Sequence, residues 1–95
     1  MRRDYLVYTV STTDLENMIE AFQDNKEIKS DAARKLSMHL TAVERFEGRD
    51  DAGKVAKHME AFLLLLDQQL EAERISETAY ELLYSDATDM LAMWK

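Results

Sequence analysis

Apolar residues recur along this chain at helical spacing in four successive runs, each separated from the next by a short polar break. In the first run Leu15, Met18, Ile19 and Phe22 share one face. Thr13-Asp14-Leu15-Glu16 predicts its start, because a threonine oxygen there accepts from a first-turn amide while the glutamate reaches back to the capping residue. Asp24-Asn25-Lys26 breaks the pattern. Ser30 or Asp31 then caps a second run that turns Ala33, Leu36, Leu40 and Val43 inward as far as Phe46. Gly48 is expected to end it, as a residue that takes positive φ at a helix C-terminus.

The third run is the longest. From Asp50 onwards Ala52, Val55, Ala56, Met59, Phe62, Leu63, Leu66 and Leu70 fall within one broad stripe at about 100° per residue, and Arg74 closes the helix. Ile75 and Tyr80 are spaced as a hydrophobic staple around Ser76 as N-cap. The fourth helix carries Ala79, Leu83, Ala87, Met90 and Trp94. Short connections make antiparallel neighbours the default, so residues 13–95 are predicted to form an all-α, compact four-helix bundle. Residues 1–12 read as an extended arm or linker, since residues 5–10 are rich in tyrosine, valine and threonine.

Composition narrows the function. The chain has 95 residues, enough for one core, with no proline, two glycines and no cysteine. The missing cysteines exclude disulfides, thiolate metal sites and thiol catalysis. A formal net charge of −7 opposes the phosphate contacts of nucleic-acid binding and repels anionic membranes. The longest apolar run, residues 61–66, is too short for membrane insertion.

No constellation for chemistry assembles from the sequence, and no catalytic residue, metal site or cofactor is expected. His39 lies at the edge of the second apolar stripe, and His58 has no histidine or acidic partner at the spacing that pairs metal ligands on one helix. Asp50-Asp51 and the acidic residues within 24–27 lack the alternating ligands and glycine of a calcium loop. Ser37, Ser76 and Ser85 stand in no nucleophile elbow.

Contact surfaces are the better candidates. Leu64 and Leu65 project about 140° and 240° around the third helix from Met59, away from the centre of its stripe. Met38 lies opposite the second stripe, and Trp94 sits near the chain end. These four residues are the candidate partner-binding set, for a protein partner, a neighbouring domain or a second copy in a homodimer. Tyr5, Tyr8 and Tyr84 offer rings to a carbohydrate, a weaker reading because helical bundles rarely present a linear aromatic platform.

A resemblance adds context. Ile28, Ala33, Leu36, Leu40, Ala42-Val43, Gly48, Ala56, His58-Met59-Glu60-Ala61-Phe62, Gln68 or Gln69, Ile75-Ser76-Glu77-Thr78-Ala79 and Leu82-Leu83, in that order, resemble the FIMAH domain. The Ala61-Phe62 pair and the Ile75-Ser76 lead-in to the last helix are the most specific parts. Glu71-Ala72-Glu73-Arg74 stands where the family often has a glycine, and the leucines at 63–66 replace a more polar stretch.

The resemblance implies a small helical accessory domain towards the C-terminus of secreted or surface hydrolases of Gram-positive bacteria. On that expectation the chain is a noncatalytic interaction module, extracellular or at the cell surface as part of a longer protein. The alternative is a free-standing acidic regulator in the cytoplasm that binds a protein partner through its helices.

Overall fold

The computed structural model describes residues 11–94, and the expected arm at residues 5–10 lies outside them. Four helices follow one another: α1 (Thr12–Asp24), α2 (Ser30–Gly48), α3 (Ala52–Glu71) and α4 (Glu77–Trp94). Each packs against its neighbours in sequence, and α1 also meets α4, so the helices form a closed ring; α3–α4 is the most extensive seam and α1–α4 the thinnest. The inward stripes make one core, with Leu15 and Ile19 from α1, Leu36, Leu40 and Val43 from α2, Val55, Met59, Phe62 and Leu66 from α3, and Ala79, Leu83, Ala87 and Met90 from α4. The expected all-α bundle of four antiparallel helices is the observed architecture.

Helix starts follow side-chain chemistry. Ser11, not Thr13, is the N-cap of α1: its hydroxyl accepts from the Asp14 amide, and the Asp14 carboxylate accepts from the Ser11 backbone N–H at 3.1 Å. The shift of two residues frees Thr12 to turn inward, where its hydroxyl donates to Glu47 Oε1 at 2.5 Å. Neither Ser30 nor Asp31 is the cap of α2; that position is Lys29, whose side chain makes no capping bond, and Ser30 opens the helix. Asp51, rather than Asp50, caps α3 by accepting from the Lys54 amide. Ser76 caps α4 as expected, its hydroxyl accepting from the Ala79 amide at 3.0 Å.

All three helix ends that lead into turns close in the same way. In α1, Glu27 N–H reaches back to Phe22 C=O and Lys26 N–H to Gln23 C=O; α2 repeats this with Asp51 to Phe46 and Asp50 to Glu47, and α3 with Arg74 to Gln69 and Glu73 to Leu70. This is the Schellman pattern, which puts one residue per turn in the left-handed region. Those residues are Lys26, Asp50 and Glu73, with φ of 64°, 56° and 62°. Gly48 is not among them, because α2 runs through it and the left-handed position falls two residues later. Helix α3 likewise ends at Glu71 rather than Arg74.

The first and third turns lie at one pole and are stitched together. Lys29 N–H donates to Arg74 C=O at 2.9 Å and Ser76 N–H to Glu27 C=O at 2.8 Å, an antiparallel bridge between Ile28 and Ile75 that buries both side chains. Ser76 also donates its hydroxyl to Glu27 Oε1 at 2.9 Å. Arg74 meets Asp31 at 2.6 Å in an exposed ion pair, screened by solvent.

Replacing Ser76 by alanine removes both the cap and the bond to Glu27, and is expected to lower stability in urea by about 1–2 kcal/mol. Two glycine exchanges act in the opposite sense. Gly48→Ala places a methyl where nothing lies within 4 Å, in a helix rather than a left-handed turn, and should raise stability by about 0.5–1 kcal/mol. Glu73→Gly should raise it by a similar amount, about 0.5–1 kcal/mol, because relief of the left-handed strain exceeds glycine's added chain entropy. The midpoint of urea unfolding checks all three.

Candidate functional site: the groove between the second and third helices

On the outer shoulder of α2, Lys35 and Ala42 each stand three or four residues from Met38 and His39, so the four line one edge. His58 and Leu65, seven residues apart on α3, form the facing edge. Together they enclose an open, mainly apolar groove of about 370 Å3. Two further surface hollows are polar: one against α1 is lined by Glu16, Asn17, Glu20 and Gln23, and one at the stitched pole by Lys26, Glu27, Glu73 and Arg74.

A column of rings fixes the floor of the groove. His39 Nε2–H donates to the His58 backbone carbonyl at 2.6 Å, which sets the side-chain position across the α2–α3 seam. The His39 ring stacks on Phe62 with centroids 6.1 Å apart and faces His58 at 5.6 Å. His58 in turn stacks on Phe46 at 5.0 Å, and the Lys54 ammonium lies 5.3 Å from the Phe46 centroid in cation–π contact. Both histidines are thus half-buried packing elements of a seam, brought together from two helices that sequence spacing alone does not connect.

The candidate contact residues are not gathered in one place. Met38, at 67% exposure, and Leu65, half-buried against the core, both line the groove. Leu64 is 64% exposed but is not part of the groove wall. Trp94 packs against the core at the end of α4. Tyr84 is half-buried and pairs with Tyr80, with centroids 5.3 Å apart, while Tyr5 and Tyr8 lie outside the described residues. Tyr80 donates its hydroxyl to Asp67, and that bond together with burial pushes its pKa up to about 12.

Two exposed apolar residues escaped the sequence reading: Leu82 at 49% and Met93 at 51%. Both lie on α4, in one line with Asp86 and Asp89 between them, and the signal was their shared spacing on the face away from the core. Charge follows the same division. Helices α1 and α4 carry four carboxylates each and no lysine or arginine, whereas α2 and α3 hold five lysines and arginines, six carboxylates and both histidines. On the acidic side desolvation raises the pKa of Asp86, with repulsion from Asp89 and Asp14 adding to it; desolvation likewise raises Glu16, helped by Glu44.

Among the described residues no group of three or more histidine, cysteine, aspartate or glutamate side chains lies close enough to hold a metal ion. The Asp51 carboxylate caps α3 and the Glu27 carboxylate accepts from Ser76, whereas Asp50 closes α2 through its backbone N–H. None of the described helices is long and apolar enough to cross a membrane.

A four-helix ring with paired turns at one pole and an apolar groove on one seam defines a small helical-bundle module. The FIMAH domain family model matches residues 12–92, most of the chain, and the protein belongs to that family. No curated protein and no solved structure matches it.

The raised carboxylates set a pH dependence. A carboxyl whose pKa is higher in the folded state than in the unfolded chain weakens the fold once ionised, so this penalty is full above the folded pKa and disappears as pH falls towards the unfolded values near ~4. Asp86→Asn is therefore expected to raise the melting temperature at pH 7 and to leave it nearly unchanged at about pH 3, below the unfolded carboxylate value, where the carboxyl is protonated in both states. Calorimetry at the two pH values measures the difference.

Proposed function

We propose that this FIMAH domain is a noncatalytic accessory module of a secreted multidomain hydrolase of a Gram-positive bacterium, working by contact with a protein or with the cell surface. The observation that carries this reading is the α2–α3 groove, where Met38 stands two-thirds exposed beside Leu65 and a rigid histidine floor. A side chain that loses nothing to folding, held at the rim of a preformed apolar recess, is suited to bury itself against a partner. Membership of the FIMAH family supports the accessory role.

The surrounding gene provides the first test. The expected reading frame encodes an export signal and a hydrolase domain together with these residues; a frame that encodes this chain alone favours the free-standing cytoplasmic regulator. Within the parent enzyme, Met38→Asp should reduce turnover of a polymeric or surface-attached substrate roughly fivefold, as loss of an anchor worth about 1 kcal/mol predicts. Turnover of a small soluble substrate should stay as it was. Equal loss on both substrates would place the domain in the catalytic machinery.

A further inference from the structure

The groove has a counterpart on the opposite side of the same domain. In the ring of helices the α2–α3 seam lies across from the α1–α4 seam, and the α4 face beside that second seam carries Leu82, Asp86, Asp89 and Met93. At about 100° per residue these four fall within roughly 60° of arc, forming one stripe with an apolar residue at each end and two carboxylates between. We propose that the stripe of one copy seats in the α2–α3 groove of a second copy, a head-to-tail contact within a single kind of chain. This inference rests on the groove being a contact surface and names its occupant.

Charge selects this pairing over the two symmetric ones. The six residues that line the groove include Lys35 and two histidines but no carboxylate, and Lys54 lies next to them above Phe46. Groove against groove would set Lys35 and Lys54 against their own copies. Stripe against stripe would do the same to Asp86 and Asp89, on a face where carboxylate repulsion is already present. Only the unlike pairing brings the aspartates to the lysines and the exposed Leu82 and Met93 to the apolar recess.

The net charge of −7 does not prevent it, because repulsion between whole domains is screened beyond about 8 Å at physiological ionic strength while the contact itself is short-range. Since donor and acceptor surfaces face opposite ways, the contact does not close on itself. Association is open-ended.

Sedimentation velocity of the full chain from micromolar to millimolar concentration tests the inference, with Met38→Asp as the groove variant and Leu82→Asp as the stripe variant. Both positions are solvent-exposed, and circular dichroism melts establish that each variant is folded; Met93→Asp replaces the stripe variant if Leu82→Asp is not. The wild-type mass should rise steadily past that of a dimer. Each variant alone should be monomeric, and an equimolar mixture should give a one-to-one complex and nothing larger, because each retains the surface that the other has lost.

A wild-type chain that is monomeric throughout, a mass that stops at a dimer, or a mixture that stays monomeric would overturn the head-to-tail contact. If the wild type is monomeric while Met38→Asp still impairs the parent enzyme on surface-attached substrate, the self-contact fails and the groove remains a surface for another partner.

Discussion

Two backbone hydrogen bonds between turns, Lys29 to Arg74 and Ser76 to Glu27, hold the ring of helices closed. Sequential helices are kept together by their short connections, but α1 and α4 are joined by no connection and share the thinnest seam. The stitch replaces what that seam lacks. It fixes the α1–α2 hairpin to the α3–α4 hairpin at one pole and buries Ile28 and Ile75 as the last layer of the core. Because the bonded backbone groups stand in a bridge rather than a helix, their pairing satisfies donors and acceptors that burial would otherwise strand. Ser76 serves both sides of this arrangement, as cap of α4 and as donor to Glu27.

Charge is distributed around the ring unevenly, and the uneven distribution gives the domain two different faces. Helices α1 and α4 are purely acidic in their charged residues, so the thinnest seam of the ring is also electrostatically unfavourable. The helical lysines and both histidines lie on α2 and α3, where cation–π and ring stacking contacts add to the seam. An acidic chain thereby keeps a recess free of carboxylates. The overall charge of a protein says little about the polarity of the surface on which it makes contact.

The inward stripes were legible in the sequence because a helix buries what recurs every three to four residues, and Leu36, Leu40, Phe62, Leu66 and Leu83 are all in the core. Ser76 was legible too, since only one hydroxyl stands ahead of the last run. Three candidate hydroxyls stand together at Ser11-Thr12-Thr13, and the choice among them depends on Glu47, a residue far along the chain, holding Thr12. Glycine misled at position 48, because a Schellman turn needs a left-handed residue only where the helix stops, and tertiary packing carried α2 past it. Met38 could be found as an apolar residue on the wrong side of its helix. Its recess could not, because the walls come from two helices and the floor from a His39–His58 contact that crosses between them.

The bond from Thr12 to Glu47 places the start of α1 beside the end of α2, and antiparallel packing brings the end of α4 to that same pole. The first and last described residues therefore lie at one pole, like two knots at one end of a float. The stitched pole lies at the opposite end of the bundle. A module anchored in this manner can be spliced into a host protein at a single point of its surface without threading the host around it. The groove and the acidic stripe lie on the long flanks between the two poles, clear of both ends of the bundle.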